Sequence, residues 1–199
     1  MRLEKAALAI LVSISVAYAG PTSTPTVIHA ELDPLPFANQ PGYGGQIGVR
    51  HPALRGVRLA IASFALHVPD VLSHALNRGD VDQRVRPSGA IYGLYYFGAP
   101  GEDGFAVGAS VRYLRQRYTD EADASLTADV GELSPELIVG YQWHPMKGRF
   151  YLQPWFALGV TVWRDRGLHL GADPANAAVV DPLPVSPFFT VNVGYEYAL

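Results

Sequence analysis

The sequence of 199 residues contains no cysteine, so it has neither a disulfide framework nor a cysteine to carry a lipid. It also has little net charge. The formal net charge of -3 indicates neither the excess of basic residues that is typical of nucleic-acid-binding proteins nor a disordered acidic tail. After Ala19 no apolar run reaches the about 20 residues that a membrane-spanning helix needs. If the chain crosses a membrane, we expect a closed β-barrel, the other structure that satisfies every backbone polar group in lipid.

The first 19 residues predict a secretory signal peptide. The short basic stretch MRLEK precedes the apolar run AALAILVSISV, and AYA ending at Ala19 has the small residues of a cleavage site. The alternative is an N-terminal membrane anchor, for which the apolar run is short. We expect an exported chain whose remaining part, residues 24–199, is a single barrel domain.

After this segment, apolar and polar residues alternate with the period of two that is typical of half-buried strands. In GFAVGASVRY, Phe105, Val107 and Val111 share one face, and small or polar residues share the other. The same pattern predicts seven strands, at about 43–51, 56–68, 89–98, 104–118, 135–144, 150–163 and 187–199. In the second of them Phe64 and Leu66 fall in the polar register, which favours a β-bulge.

The two faces and the connectors together favour a membrane barrel. One face of the strands is large and apolar, and the other is rich in Gly, Ala, Gln, Arg and Glu. Outer-membrane barrels turn the apolar face to lipid, and their short periplasmic turns alternate with longer external loops. Short links at 51–56, 98–104 and 144–149 alternate here with long links at 69–88, 119–134 and 164–186.

An up-and-down barrel of this kind needs an even number of strands, whereas only seven are clear. The best candidate for the eighth is TPTVIHAEL, residues 24–32, although its alternation is weak. The expected fold is therefore all-β: an eight-stranded antiparallel up-and-down transmembrane β-barrel with short periplasmic turns and longer extracellular loops. A barrel of this size is narrow enough to be filled by side chains.

In its signal peptide, strand number, loop lengths and last strand, the chain resembles the small bacterial outer-membrane barrels of the OmpA-barrel and OmpX superfamily. The resemblance is architectural and covers residues 24–199. It implies that the final strand is the signal read by the barrel-assembly machinery, with Leu199 where Phe is more usual. The lipid-facing residues of that signal are expected to be Phe189, Val191, Val193, Tyr195, Tyr197 and Leu199.

Nine polar side chains fall in the register that should face the barrel interior. They are Gln46, Arg50, Arg58, Arg112, Glu136, Gln142, Gln153, Asn192 and Glu196. Buried charges must be paired, so the favoured interpretation is a salt-bridged plug in a nearly filled lumen. The alternative is a path for protons or ions.

Catalysis and metal binding have little support in the sequence. His67, Asp70 and Ser73 could be imagined as a triad, but triads are identified by geometry, and the His-x-Ser tripeptide of a barrel deacylase does not occur. The six histidines lack metal-ligand spacing and there is no cysteine, so we expect no metal and no other cofactor.

The loop PDVLSHALNRGD predicts a short helix, since Asp70 can cap it and Gly79 can end it. Its apolar face would consist of Val71, Leu72, Ala75 and Leu76. Short helices need tertiary packing, so we expect this face to pack on neighbouring loops. The alternatives are that the helix closes the outer mouth, rests on the membrane surface or binds a partner.

The favoured function is that of a monomeric outer-membrane barrel with a structural or surface-recognition role. Its partners would be outer-membrane lipids and the assembly machinery, and no nucleic acid. One alternative is binding or passage of a small, hydrophobic ligand through a narrow barrel. A second is a lipid-modifying outer-membrane enzyme, and a third is a soluble lipocalin-like carrier with the apolar registers facing inward.

Overall fold

The computed structural model describes residues 25–38, 42–77, 80–165, 169–170, 178–179 and 184–199. The predicted signal peptide, residues 1–19, lies outside these ranges. The strands are β1 (Val27–Leu32), β2 (Tyr43–Arg50), β3 (Val57–His67), β4 (Val81–Tyr96), β5 (Gly104–Asp120), β6 (Thr127–Gln142), β7 (Phe150–Val160), β8 (Trp163–Arg164), β9 (His169–Leu170), β10 (Ala178–Val179) and β11 (Val185–Ala198). The helices are α1 (Leu35–Ala38) and α2 (Asp70–Asn77), with a 3-10 turn at Pro52–Leu54.

Strands β1 to β7 and β11 form a closed antiparallel barrel, because each pairs with its sequence neighbour and β11 pairs with β1. The closing seam runs from Val27 opposite Ala198 to Leu32 opposite Val193. The structure confirms the expected eight-stranded up-and-down barrel. Its eighth strand lies within residues 24–32, where the alternation of the sequence is weakest.

The alternation places the large apolar residues on the outer surface. Leu137, Ile61 and Phe105 are 73%, 65% and 61% exposed, as the side chains of a lipid-facing band must be. The inner face carries glycine and alanine where a larger neighbour needs the space. A Cβ atom at Gly194 would overlap the ring of Tyr151, and one at Gly159 would lie 3.0 Å from Cγ of Glu136.

Strands β4 and β6 are longer than predicted, and the prediction of a long loop at 119–134 is wrong. Only a turn separates Asp120 from Thr127, because β5 and β6 remain paired up to Thr119 and Thr127. The loop expected at 69–88 is also shorter than predicted, because β4 begins at Val81. The β4–β5 register shifts between Arg86 and Gly89, and this irregularity interrupts the alternation in the sequence.

The irregularity predicted in β3 is confirmed, since the register between β3 and β4 shifts between Phe64 and Leu66. Both side chains lie in the inward register of β3 and pack with buried residues of the interior. No helix of the described residues is long and apolar enough to cross a membrane.

Helix α2 forms where it was predicted, but the expected packing of its apolar face is wrong. Val71 is 81% and Leu72 53% exposed, whereas Ser73 and Asn77 are buried. The Ser73 hydroxyl donates to the carbonyl of Val81, and the Asn77 amide donates to the Gln83 side chain over 2.9 Å. Hydrogen bonds to β4 therefore set the orientation of the helix, which leaves Val71 exposed and places Leu72 and Leu76 beside a cavity of the barrel.

Candidate functional site

The structure places all nine predicted interior side chains inside the barrel; eight are buried, and Arg50 is half-buried. Of the six C-terminal residues assigned to the lipid-facing assembly signal, five lie on the outer face of β11, and the exposed Leu199 directly follows the strand. Their recognition by assembly machinery stays a prediction. The interior residues divide into a network near the short turns, a middle layer and the wall of an external cavity.

The network near the short turns is centred on Glu31, a β1 residue that the alternation of the sequence does not identify. Arg58, fully buried, forms an ion pair with its carboxylate. The other Glu31 oxygen accepts from Asn192 over 2.7 Å and from Gln46, and the Tyr151 phenol also donates to Glu31. Donors from β2, β3, β7 and β11 thus compensate one buried carboxylate, which is the condition for keeping such a charge in a barrel interior.

Arg58 extends this network across the lumen. Its Nη2 donates to Oε1 of Gln153 over 3.1 Å, and its guanidinium carbon lies 4.9 Å from the ring centre of Tyr96. The Gln153 amide nitrogen in turn donates to the Tyr96 hydroxyl over 2.9 Å. These contacts add Gln153 of β7 and Tyr96 of β4 to the network and fill the cross-section.

A second cluster lies beside the Glu31 network. The Gln142 amide donates to Glu196 over 2.6 Å, and Nε2 of His144 lies 3.8 Å from the same carboxylate. His29 Nδ1 lies 3.7 Å from Glu196, and the His29 ring stacks on Tyr96. The end of the lumen near the short turns is therefore filled by hydrogen-bonded side chains.

The middle layer combines one ion pair with three aromatic rings. Arg112 and Glu136 are 2.7 Å apart, and the Ser110 hydroxyl donates to Glu136 over 2.7 Å. The Trp155 ring meets the rings of Tyr92 and Phe188 at centroid distances of 5.8 Å and 5.5 Å. A void of about 30 Å³ remains beside this layer, enough for one or two water molecules.

Beyond the middle layer, toward the long loops, the barrel contains a cavity of about 480 Å³, here called the external cup. Its wall is mainly apolar and includes Phe64, Leu66, Leu72, Leu76, Val85 and Leu114. The polar side chains at the cup include Arg112, Gln116 and Glu132. Glu132 is held by Gln116 over 2.8 Å and by Arg164 over 2.7 Å, so its charge is compensated within the wall.

The wall of the cup has a gap at the closing seam. Strand β11 pairs with β7 from Val185 to Tyr195, but with β1 only from Val193 onward. Above Leu32 the chain leaves the sheet and enters α1, so that, among the described residues, 185–192 of β11 pair with β7 alone. The cup is bordered by both the inward Phe188 and the outward Phe189, which lie on opposite faces of this part of the wall.

Several interior residues were not identified from the sequence. Tyr151 lies in the same register as Gln153, so the alternation along β7 does indicate that its side chain faces the interior. Tyr96 was missed because the facing of its strand could not be assigned. Glu31 was missed because β1 has only six residues, too few to show a clear alternation.

The residues imagined as a triad have other partners. His67 Nε2 lies 2.5 Å from a carboxylate oxygen of Asp82, and the buried Ser73 hydroxyl donates to the Val81 carbonyl. The structure therefore does not bring the His67 ring and the Ser73 hydroxyl into a nucleophile–base pair. Within the described ranges, no group of three or more acidic or histidine side chains could hold a metal ion.

No protein-family model matches the chain, and no curated protein matches it significantly. Among solved structures it is similar to Neisserial surface protein A, with 11% identity, a TM-score of 0.47, and coverage of 87% of this chain and 97% of that one. It is also similar to a major outer membrane protein from Thermus thermophilus, with 15% identity, a TM-score of 0.47, and coverage of 88% and 100%. A third is the N-terminal β-barrel domain of Pseudomonas aeruginosa OprF, with 14% identity, a TM-score of 0.43, and coverage of 87% and 98%. By its own strand pairings the chain has the fold of the small outer-membrane β-barrels that its sequence resembles.

Proposed function

We propose that the protein is a monomeric barrel of the bacterial outer membrane with a surface-recognition role, and that the external cup is its recognition site for a small amphipathic molecule. The observation that carries this proposal is the cavity of about 480 Å³, mainly apolar and blocked underneath by buried side chains. Binding pockets for small molecules have this size and this mixture of apolar walls with a few polar groups.

The outer-membrane location is supported by the distribution of residues on the barrel. The outer face carries an exposed apolar band, and charged side chains such as Arg58, Glu31 and Glu136 are buried in the interior. The three short turns lie at one end, and three of the four links at the other end are longer, the exception being the turn between Asp120 and Thr127; unequal ends of this kind are typical of outer-membrane barrels.

A blind cup is favoured over passage through the barrel. A solute leaving the cup toward the short turns would have to displace the Arg112–Glu136 pair and then the Arg58–Glu31 pair. Separating a buried ion pair is strongly unfavourable, since each charge would lose its partner in a region that excludes water.

The chemistry of the cup favours an apolar body with one anionic or hydrogen-bond-accepting end. Arg112 is 6% exposed and borders the cup, and its Nε has no hydrogen-bond partner among the described residues. Phe64, Leu66 and Leu114 supply apolar contacts above it. The gap in the wall beside Phe188 and Phe189 offers a route by which an apolar molecule enters from the membrane.

Binding of a dansyl-labelled fatty acid of medium chain length to the purified barrel tests the proposal. Leu114→Trp fills the cup and should weaken binding by about tenfold or more. Val111→Trp, on the outer face of the same strand, is the matched control and should bind as the unchanged protein does. Equal affinities of the two variants for the fatty acid would show that it binds elsewhere and would contradict the proposal that the cup is the binding site.

Conductance of the protein in a planar bilayer separates the blind cup from a passage. We expect no discrete current steps, because the middle layer and the Glu31 network block the lumen. Regular steps from the unchanged protein would favour the passage hypothesis.

A further inference from the structure

Four arginines form a compact square on the outer wall of the barrel, above the apolar band. Arg84 of β4 lies opposite Arg117 of β5, and Arg86 lies opposite Arg115. All four side chains point outward, since their strand neighbours Val85 and Gln116 are buried in the interior. We call these four residues the arginine patch.

Such an arrangement requires compensation, because like charges directly opposite each other on neighbouring strands destabilise a sheet. Two carboxylates supply part of it. Asp129 accepts two hydrogen bonds from Arg117, over 2.6 Å and 3.0 Å, and lies 3.9 Å from Arg86. Asp82 lies 3.2 Å from Arg84, but it also pairs with His67.

Arg115 has no carboxylate partner among the described residues, and Arg86 has only the long contact to Asp129. Four guanidinium groups therefore face two carboxylates, which leaves an excess of positive charge on the Arg86 and Arg115 side of the patch. A groove borders the patch and adds the hydroxyl groups of Thr119 and Thr127 to its polar surface.

The height of the patch on the barrel indicates its partner. Tyr113, 43% exposed, and the nearby Trp163, 49% exposed, lie at the upper edge of the apolar band, where aromatic residues mark the membrane interface. Arg115 follows Tyr113 by two residues, or about 7 Å along the strand, and Arg117 by about 14 Å. The patch therefore lies at the level of the headgroups of the outer leaflet.

We propose that the arginine patch binds the phosphate groups of a phosphorylated glycolipid in that leaflet. Arginine is suited to this task, because its planar group can donate two hydrogen bonds to one phosphate. Directly below the patch, the exposed side chains of Ile91 and Val111 face each other on β4 and β5 and can contact the acyl chains of the same lipid.

The inference rests on the outer-membrane location proposed above, but not on the external cup. It goes beyond that function, since it concerns the outer wall of the barrel and a structural lipid. The charge of the patch and the apolar surface beneath it match both parts of one molecule, which a free phosphate ion would not do.

The test measures binding of lipid A by the purified barrel with native mass spectrometry. The double variant Arg86→Gln/Arg115→Gln should bind lipid A at least about tenfold more weakly, because two charge-assisted contacts are lost. The matched control Lys147→Gln/Arg149→Gln removes the same charge at the end with the short turns and should bind as before. Equal binding by both variants would overturn the proposal.

Further probes distinguish the sources of the binding. Dephosphorylated lipid A and phosphatidylcholine should not show the difference between the two variants. If inorganic phosphate alone competes fully for the site at millimolar concentration, the patch is an ion site and the lipid assignment is wrong. The patch variant should bind the dansyl-labelled fatty acid normally and keep its heat-dependent gel migration. Rejection of the lipid proposal can therefore be distinguished from rejection of the external cup as a binding site and from unfolding of the barrel.

Discussion

Arg58 of β3 and Glu31 of β1 form an ion pair inside the barrel, and each side chain is only 1% exposed. Strand β2 lies between their strands, so the pair connects the closing strand with the rest of the wall through the interior. Tyr151 and Asn192 also contact Glu31, from the other side of the seam. Closure of the barrel therefore depends on this interior network as well as on backbone pairing between β1 and β11.

Glu31→Gln should destabilise the barrel by about 3–5 kcal/mol, because Arg58 is left as a buried charge without its partner. The midpoint of urea unfolding, followed by the gel migration of unheated samples, measures the loss. The control Glu102→Gln alters an exposed turn and should leave the midpoint unchanged. Glu31→Gln/Arg58→Met should recover part of the stability, and a midpoint for Glu31→Gln equal to that of the control would contradict the prediction.

Gly194→Ala should destabilise the barrel by about 1–3 kcal/mol, the usual cost of overpacking a well-filled interior. The added Cβ would overlap the ring of Tyr151, which must then move away from Glu31 and Arg58. Unfolding in urea, compared with Gly148→Ala, tests this; a Cβ at Gly148 has no atom nearer than 3.8 Å. Identical midpoints for the two variants would show that the Tyr151 position is not constrained.

The period-two alternation was sufficient to predict the barrel and the facing of its regular strands. In β5 the outward series from Phe105 to Tyr113 and the inward Arg112 are visible in the sequence, because each side meets a uniform environment. Glycine and alanine in the inward register indicated the space that long side chains need. The placement of Arg58, Glu136 and Gln153 in the interior follows from the same pattern.

Other features depend on interactions that alternation does not record. Residues 81–88 continue β4 beyond the apolar band, but the irregularity near Pro87 breaks their period, so they were assigned to a loop. The external cup is formed by α2, α1 and the gap above Leu32, which come together only in three dimensions. The orientation of α2 was missed because Ser73 and Asn77 form hydrogen bonds with β4 that outweigh its apolar pattern.

The contact between His74 of α2 and Glu121 beyond β5 should depend on pH. The hydrogen bond to Glu121 raises the pKa of His74 above its usual value of 6.5. Because the pKa of His74 is higher in the folded state than in the unfolded chain, its contact with Glu121 stabilises the fold fully below pH 6.5. This stabilisation is lost as the pH rises through the pKa of the folded state. After correction for intrinsic rates, the amides of α2 should exchange faster at about pH 8 than at about pH 6.

Glu121→Gln should return the pKa of His74 toward its usual value, as followed by its ring proton resonances, and should remove the pH dependence of exchange in α2. The control Asp123→Asn changes a carboxylate in the same turn that accepts hydrogen bonds from the backbone amide and hydroxyl of Ser125. It should preserve the pH dependence. Exchange in α2 that stays independent of pH in the unchanged protein would show that this contact does not hold the helix.

Leu137→Arg should destabilise the barrel in lipid vesicles by about 2–4 kcal/mol, whereas Thr127→Arg should cost about 0–1 kcal/mol. Both positions face outward on β6, but Leu137 lies in the middle of the apolar band and Thr127 lies beside the external turn. Urea unfolding in vesicles measures both, and the same pair in detergent micelles is the control for local packing. A small and equal cost at the two positions would mean that the band does not lie in hydrocarbon, and it would contradict the membrane location.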